Sequence, residues 1–352
     1  MRRSVPIALV AAAAALLLTA CSGSGDSKAS STPKASASSS ATDTGCSLKP
    51  GSASNAVKIT GDVGTAPTVT VPSGTKAASE QRTVVKKGSG ATPKAGRWVV
   101  GGLDAYDATT GKAIGQSFGW GSQQGELTVM IGDPQKVPGL TKAFGCVPVG
   151  SRVVYAAPAS VAFGSADNVS NNFSDGSVKA TDSVVFVADV LGEVPNKADG
   201  AAQPAQAGFP TVKLASDGAP TVTIPKTPAP TTTKVEVLKK GTGATVKSGD
   251  TVIVQYQGTE WKSGKVFDQS WGTAHEQQGQ APAANTAAQF ATTGVVKGFS
   301  EALVGHTVGS QVLVVMTPAD GYGDNPPQGQ SIITKTSSLV FVVDILQTAS
   351  AQ

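Results

Sequence analysis

The stretch Thr251-Val252-Ile253-Val254-Gln255-Tyr256-Gln257-Gly258 sets Val252, Val254 and Tyr256 on one face of an extended chain and Thr251, Ile253 and Gln255 on the other. That period of two predicts a strand. Leu339, Phe341, Val343 and Ile345 repeat the pattern near the end of the chain. Between these segments Val295, Phe299, Ala302 and Leu303 recur at helical spacing after Gly294, which predicts one short amphipathic helix. Gly309-Ser310-Gln311-Val312-Leu313-Val314-Val315-Met316 predicts a further strand, closed by Thr317-Pro318. Strands gathered around a single short helix imply an α+β module in which the helix covers a curved antiparallel sheet.

The module is written twice. Val57-Lys58-Ile59 followed by Ala66-Pro67-Thr68-Val69-Thr70-Val71-Pro72 returns as Val212-Lys213-Leu214 followed by Ala219-Pro220-Thr221-Val222-Thr223-Ile224-Pro225. Lys86-Lys87-Gly88 returns as Lys239-Lys240-Gly241, and Val184-Val185-Phe186-Val187-Ala188-Asp189 returns as Leu339-Val340-Phe341-Val342-Val343-Asp344. Long blocks in the same order mean tandem copies. The expected organisation is a leader at 1–20, a stalk at 21–50, a first module at 51–195, a linker rich in Ala, Gln, Pro and Gly at 196–210, and a second module at 211–352 with its core at about 234–347.

Arg2 and Arg3, an apolar run from Ile7 to Leu18 and then Leu18-Thr19-Ala20-Cys21 have the layout of a removable export signal. The run is short for a permanent span, and Leu-Thr-Ala-Cys resembles a bacterial lipoprotein box in which Cys21 becomes the acylated N-terminus. An uncleaved anchor or a free Cys21 after a secretory signal is the alternative. Ser22 to Thr44 hold almost no large apolar side chain, so they read as a flexible tether. The localisation this predicts is extracytoplasmic and lipid-anchored at the cell membrane. In such an oxidising compartment the remaining cysteines, Cys46 and Cys146, read as a disulfide, with two buried thiols as the alternative. The net charge of +4 falls to +2 without Arg2 and Arg3, which makes no case for nucleic acid. His275 and His306 lie apart from any cysteine or carboxylate cluster at ligand spacing, so no metal and no cofactor are expected.

The second copy resembles the FKBP-type peptidyl-prolyl isomerases from about Lys234 to Gln347. The likeness rests on four segments in register. Val254-Gln255-Tyr256-Gln257-Gly258 is similar to the V-x-Y-x-G strand, and Gly264-Lys265-Val266-Phe267-Asp268-Gln269-Ser270 to the G-K-x-F-D-x-S segment. Gly294-Val295-Val296-Lys297-Gly298-Phe299 is similar to the helix entry, and Thr317-Pro318-Ala319-Asp320-Gly321-Tyr322-Gly323 to the P-x-x-x-Y-G loop. The resemblance implies a proline pocket of Tyr256, Phe267, Asp268, Phe299, Tyr322 and Phe341, with Phe290, Val295, Val296, Ile332 and Ile333 contacting substrate. It also implies that the Tyr322 hydroxyl and the Val296 N–H hold substrate carbonyls while Asp268 pairs with Tyr256 as a positioning group. Phe299 stands where most members have Trp, a smaller floor that predicts weaker binding of the bulky macrolides the family takes. The segment Gly272 to Ala288, longer than usual for the family, reads as a surface loop beside the pocket, and Ile332-Ile333-Thr334-Lys335 stands where the family tends to have prolines.

Such residues suffice for the implied chemistry. An X-Pro amide resists rotation by roughly 20 kcal/mol because twisting removes its resonance. The twisted amide has a less polar carbonyl, so a dry aromatic cleft favours it over the planar form. Taken singly, Phe341 or Phe290 reads as plain core, Asp268 as a turn former and Tyr322 as a turn tyrosine; their joint spacing carries the functional reading. The first copy has Leu103 opposite Tyr256, Ile114 opposite Phe267, Gly115 opposite Asp268, Leu140 opposite Phe299 and Phe163 opposite Tyr322, while Phe186 is kept opposite Phe341. It is expected to keep the fold with little or no isomerase activity. The chain thus reads as a lipid-anchored catalyst acting on proline-containing exported polypeptides. The alternatives are a non-catalytic proline-peptide-binding or chaperone lipoprotein, and a structural spacer.

Overall fold

The structure, a computed structural model, describes residues 44–133, 137–272, 286–328 and 331–350. The leader, Cys21, the stalk up to residue 43 and most of the loop from Gly272 to Ala288 lie outside them.

In the first module α1 (Ser52–Ala56), β1 (Lys58–Thr60) and β2 (Thr68–Thr70) precede β3 (Gln81–Lys86), β4 (Trp98–Asp107), β5 (Lys112–Ala113) and β6 (Leu127–Met130). Then come α2 (Pro138–Phe144), β7 (Arg152–Pro158), α3 (Ala159–Ala162), α4 (Ala166–Asn172) and β8 (Ser183–Glu193). The second module has β9 (Ala201–Ala202), β10 (Thr211–Leu214), β11 (Pro220–Thr223), β12 (Lys234–Lys240), β13 (Thr251–Glu260), β14 (Val266–Gln269) and β15 (Ala288–Ala291). It closes with α5 (Lys297–Glu301), β16 (Gln311–Met316), a 3-10 turn (Pro318–Asp320) and β17 (Leu339–Ala349).

Each module is an antiparallel sheet, ordered β3-β7-β8-β4-β5 in the first and β14-β13-β17-β16-β12-β9 in the second, with β6 on β4 and β15 on β13. The correspondence extends to the turns. Gly150 and Gly309, each followed by the serine just before the next strand, both have φ of 89°, a left-handed conformation in which glycine carries no Cβ penalty. Ser151 and Ser310 each accept a hydrogen bond at 2.9 Å, from the N–H of Gly88 and of Gly241.

The sheets are buried on both faces, not the one that alternation alone suggests. In the second module Val312, Val314, Phe341 and Val343 point toward Phe299, Ala302 and Leu303 at α5. Their neighbours Leu313, Val315, Val340 and Val342 pack on the other face with Trp261 and with Val212, Val222 and Ile224 of the β10–β11 hairpin region. That hairpin explains the unbroken apolar runs of β16 and β17, since a strand covered on both sides has no position for a solvated residue. Val57, Ile59 and Val69 cover the first sheet in the same way, above Val154, Ala156, Val185 and Val187.

Two boundaries differ from the sequence expectation. Packed structure begins before 51: Leu48 reaches the first core, the Lys49 carbonyl accepts from the Arg82 N–H at 2.9 Å, and Cys46 is bonded to Cys146 with Cα atoms 5.2 Å apart. The stretch 196–210, which reads as a linker, is tied to the second sheet. Ala198 donates its N–H to Asp344 at 2.7 Å, Gly200 donates to the Gly309 carbonyl at 2.9 Å, and β9 pairs with β12. Small side chains here permit close approach to the sheet edge. The modules also share a buried cluster of Trp98 and Val194 from the first with Ile253, Ala287 and Leu346 from the second.

Candidate active site

β13 delivers Val252, Val254 and Tyr256 to the helix side of the second sheet, where Tyr256, Phe267, Phe299, Ile333 and Phe341 join one buried core. The rings converge. Phe299 lies 5.0 Å from Phe341 and 5.9 Å from Tyr256, edge to face in both pairs, and Phe267 meets Phe341 edge to face at 5.4 Å. Such edge-to-face pairs place the positive rim of one ring on the negative face of the next. Tyr256, Phe267, Phe299 and Phe341 are at most 7% exposed and form a floor. Asp268, Phe290, Val295, Val296 and Tyr322 are half-buried and form a rim around it.

The glycine of the V-x-Y-x-G segment makes this convergence possible. Gly258 is paired with Asp268 on one side and Phe341 on the other. A Cβ there would sit 2.6 Å from Phe267 and 2.7 Å from Phe341, closer than any carbon side chain tolerates. Gly298 has the same use at the helix, where a Cβ would lie 2.6 Å from that of Met316; its absence lets α5 sit directly on β16.

The polar rim is ordered by one carboxylate. Tyr256 donates its hydroxyl proton to Asp268 at 2.7 Å. Burial, then the nearby Asp268 charge and this bond, push the Tyr256 hydroxyl well above the usual phenol range. Burial and the same carboxylate also raise Tyr322. Both hydroxyls therefore stay protonated donors at any physiological pH. The loop carrying Tyr322 is pinned at its start: Asp320 accepts from Lys297 Nζ at 2.6 Å and from Thr233 Oγ1 at 2.6 Å. Lys297 opens α5 and Thr233 precedes β12, so this triad fixes Tyr322 relative to the helix. Val296 is the residue capping α5 at its N-terminus, a position whose N–H has no partner inside the helix.

Phe290, on β15, meets Tyr256 at 5.7 Å and Phe299 at 5.8 Å. Val295, Val296 and Tyr322 pack against the same core. Ile333 is in that core, but Ile332 is not: it lines a separate groove of about 570 Å³ with Trp261, Pro225, Thr227 and Pro228. Ile332 belongs to the turn that precedes Ile333, and the chain there turns one isoleucine into the core and the other out of it. Sequence reasoning did not find the Thr233–Asp320–Lys297 tether, whose members are far apart in the chain and bear no local signature, nor the packing reason for Gly258.

In the first module the corresponding region is filled. Tyr155, where the second module has Val314, stacks on Phe186 at 5.8 Å, and Phe163 meets Phe173 at 5.2 Å and Phe186 at 6.0 Å. The Tyr155 hydroxyl donates to Glu80 at 2.6 Å. With Leu103 and Ile114 in that core and Gly115 opposite Asp268, the positions equivalent to Tyr256 and Asp268 hold neither a tyrosine nor a carboxylate.

A family model described as FKBP-type peptidyl-prolyl cis-trans isomerase matches residues 243–346. A probable FK506-binding protein of Corynebacterium glutamicum is 30% identical over 106 residues, 30% of this chain and 78% of that protein. A probable FKBP-type peptidyl-prolyl cis-trans isomerase of Haemophilus influenzae is 36% identical over 107 residues, 30% of this chain and 38% of that protein. The FKBP-type isomerase FkpA of Escherichia coli K12 is 31% identical over 116 residues, 33% of this chain and 37% of that protein. The chain belongs to the FKBP-type peptidyl-prolyl cis-trans isomerase family, and the matched region is its second module. It spans well under half the length of the Haemophilus and Escherichia relatives.

Proposed function

We propose that this chain is an exported, lipid-anchored peptidyl-prolyl cis-trans isomerase whose second module catalyses rotation about X-Pro bonds in exported polypeptides, the first module being a non-catalytic copy. The convergence of Phe267, Phe299 and Phe341 beneath the Tyr256–Asp268 pair supports this best. A pyrrolidine seated on those rings leaves water, and the preceding amide loses the hydration that favours its planar, polar form. Tyr322, kept protonated, donates to a substrate carbonyl, and the Val296 N–H donates to another. Asp268 orients Tyr256 and takes no proton in the reaction, because rotation breaks no bond to hydrogen. Lipid attachment at Cys21 after cleavage of 1–20 would hold the enzyme at the membrane, where emerging chains carry slow X-Pro bonds. The Phe299 floor supports weak binding of macrolides.

A protease-coupled assay on a short X-Pro peptide with the full chain tests the reading. We expect acceleration that Phe267→Ala reduces at least tenfold, with a smaller, substrate-dependent loss for Asp268→Ala. Peptide binding without acceleration would instead make the protein a proline-peptide-binding or chaperone lipoprotein. The anchor has its own check: Cys21→Ser should move the protein from the membrane to the soluble fraction, and unchanged partition would remove lipidation from the account.

A further inference from the structure

Trp98, in the first module, reaches the rim of the second. Its indole N–H donates to the Ala287 carbonyl at 2.8 Å, and its ring is buried with Val194, Ile253, Ala287 and Leu346. Ala287 immediately precedes β15, which carries Phe290. The Trp98 position in the second module holds Thr251, so the indole is not repeated there.

β15 needs such support. It has four residues and, among the described residues, pairs on one side only, with β13, in the register Val252 opposite Phe290 and Val254 opposite Ala288. A short edge strand is among the first parts of a sheet to fray. The donor itself is firmly held: Trp98 pairs with Met130, its carbonyl accepts from the Val194 N–H at 2.9 Å, and neighbouring Arg97 forms an ion pair with Glu193. A rigid donor on a buried carbonyl thus fixes where β15 starts, and with it the aim of the Phe290 ring against Tyr256 and Phe299.

We infer that Trp98 of the first module is a positioning residue for the isomerase site, acting through β15 and Phe290 to hold the proline-binding rim. The inference rests on the isomerase reading of the second module and gives the catalytically empty copy a function: it buttresses the site instead of duplicating it.

The test uses the full chain with Trp98→Phe, which keeps an apolar ring and removes the donor, with Phe290→Ala, and with the double variant. For a short X-Pro peptide we expect Trp98→Phe to lower kcat/KM by about three- to tenfold, the scale of one lost buried hydrogen bond, through KM with kcat nearly unchanged. In the Phe290→Ala background the same substitution should have no further effect, because coupled sites are non-additive. Amide exchange of Gln289 to Ala291 in the folded protein should rise in Trp98→Phe; Trp98→Leu serves the same comparison if the phenylalanine variant unfolds. Unchanged KM and unchanged exchange would overturn the inference, as would an equal loss in the Phe290→Ala background. Peptide affinity is measured alongside by fluorescence anisotropy. A parent chain that binds the peptide without accelerating rotation sinks the isomerase reading alone, and the same comparison of affinities then decides the role of Trp98.

Discussion

At the scale of single residues, the site depends on a missing side chain as much as on those present. Gly258→Ala would force a methyl to within 2.6 Å of Phe267 and 2.7 Å of Phe341. Both rings are packed by others, so they move only together, and the substitution should cost about 1–3 kcal/mol of stability. It should also lower the isomerase rate by more than its effect on the folded fraction; a variant as active as the parent would mean that the ring geometry does not matter to catalysis. The tyrosines yield a second expectation. Burial and Asp268 hold the Tyr256 and Tyr322 hydroxyls above the ordinary phenol range of about 10, so neither loses its proton below that pH. The pH profile of kcat/KM should therefore be level from about pH 6 to 9, and a fall there that disappears in Tyr322→Phe would contradict the assignment. That Phe267, Asp268 and Tyr322 would gather about Tyr256 was legible in the sequence, because the segments that carry them stand in register with one another. Ile332 lies outside the core that Ile333 joins, because the chain turns there, and nothing local says which of the two points inward.

Elements were legible where a strand has one exposed face and less so where it has none. β13 showed its period of two, yet Ile253, Gln255 and Gln257 on its other face are also buried. Ile253 is covered by Trp98 and Val194 of the first module, and Gln257 by the β10–β11 hairpin, whose Pro220 carbonyl accepts a hydrogen bond from the Gln257 side chain at 3.0 Å. Such cover comes from a distant part of the chain, which a window of a few residues does not contain. The helix was placed correctly by Val295, Phe299, Ala302 and Leu303, but only Lys297–Glu301 is helical, and the flanking residues reach the core as turn. The tether between α5 and the Tyr322 loop makes a prediction at this scale. The Lys297 hydrogen bond, then that from Thr233, lowers the Asp320 pKa below its ordinary value of 3.8. A carboxyl whose folded pKa is depressed adds stability that is full above the unfolded pKa and is lost as pH falls through the folded one. The tether should thus be intact at neutral pH and weaken only below about pH 4. Asp320→Asn should raise KM for X-Pro peptides at pH 7 while shifting the melting temperature little, since the Lys297 end is exposed. A melting temperature lowered by many degrees with KM unchanged would make the tether a stability feature alone.

For the whole molecule, two modules with corresponding sheets solve one burial problem differently. Asp189 and Asp344 are equivalent and fully buried. In the first copy Arg152 neutralises Asp189 and also donates to the carbonyls of Gly61, Asp62 and Thr65, so a charged pair locks the arm before β2. In the second, Gln311 stands where Arg152 does and donates to Asp344 at 2.7 Å, while the Ala198 N–H supplies the other bond. The first copy further closes itself with the Cys46–Cys146 bond across a sequence separation of 100. A cross-link of that span removes enough freedom from the unfolded chain to contribute about 4–5 kcal/mol in the loop-entropy account, with measured values for native bridges of about 2–5 kcal/mol. Reduction, or the double substitution Cys46→Ser and Cys146→Ser, should therefore lower the urea midpoint of the first module clearly. The effect should not stop there. Trp98 and Val194 cover Ile253 and Leu346 of the second module, and uncovering apolar side chains of that size forfeits about 1.5–3 kcal/mol each when exposure is complete. Loss of the first module should thus lower the unfolding midpoint of the second as well, read from amide hydrogen exchange of β16 and β17 along the urea series in the otherwise unaltered chain. Were the second transition to stay in place when the first is shifted by reductant, the shared cluster would contribute nothing to stability and the modules would be independent bodies joined by their chain.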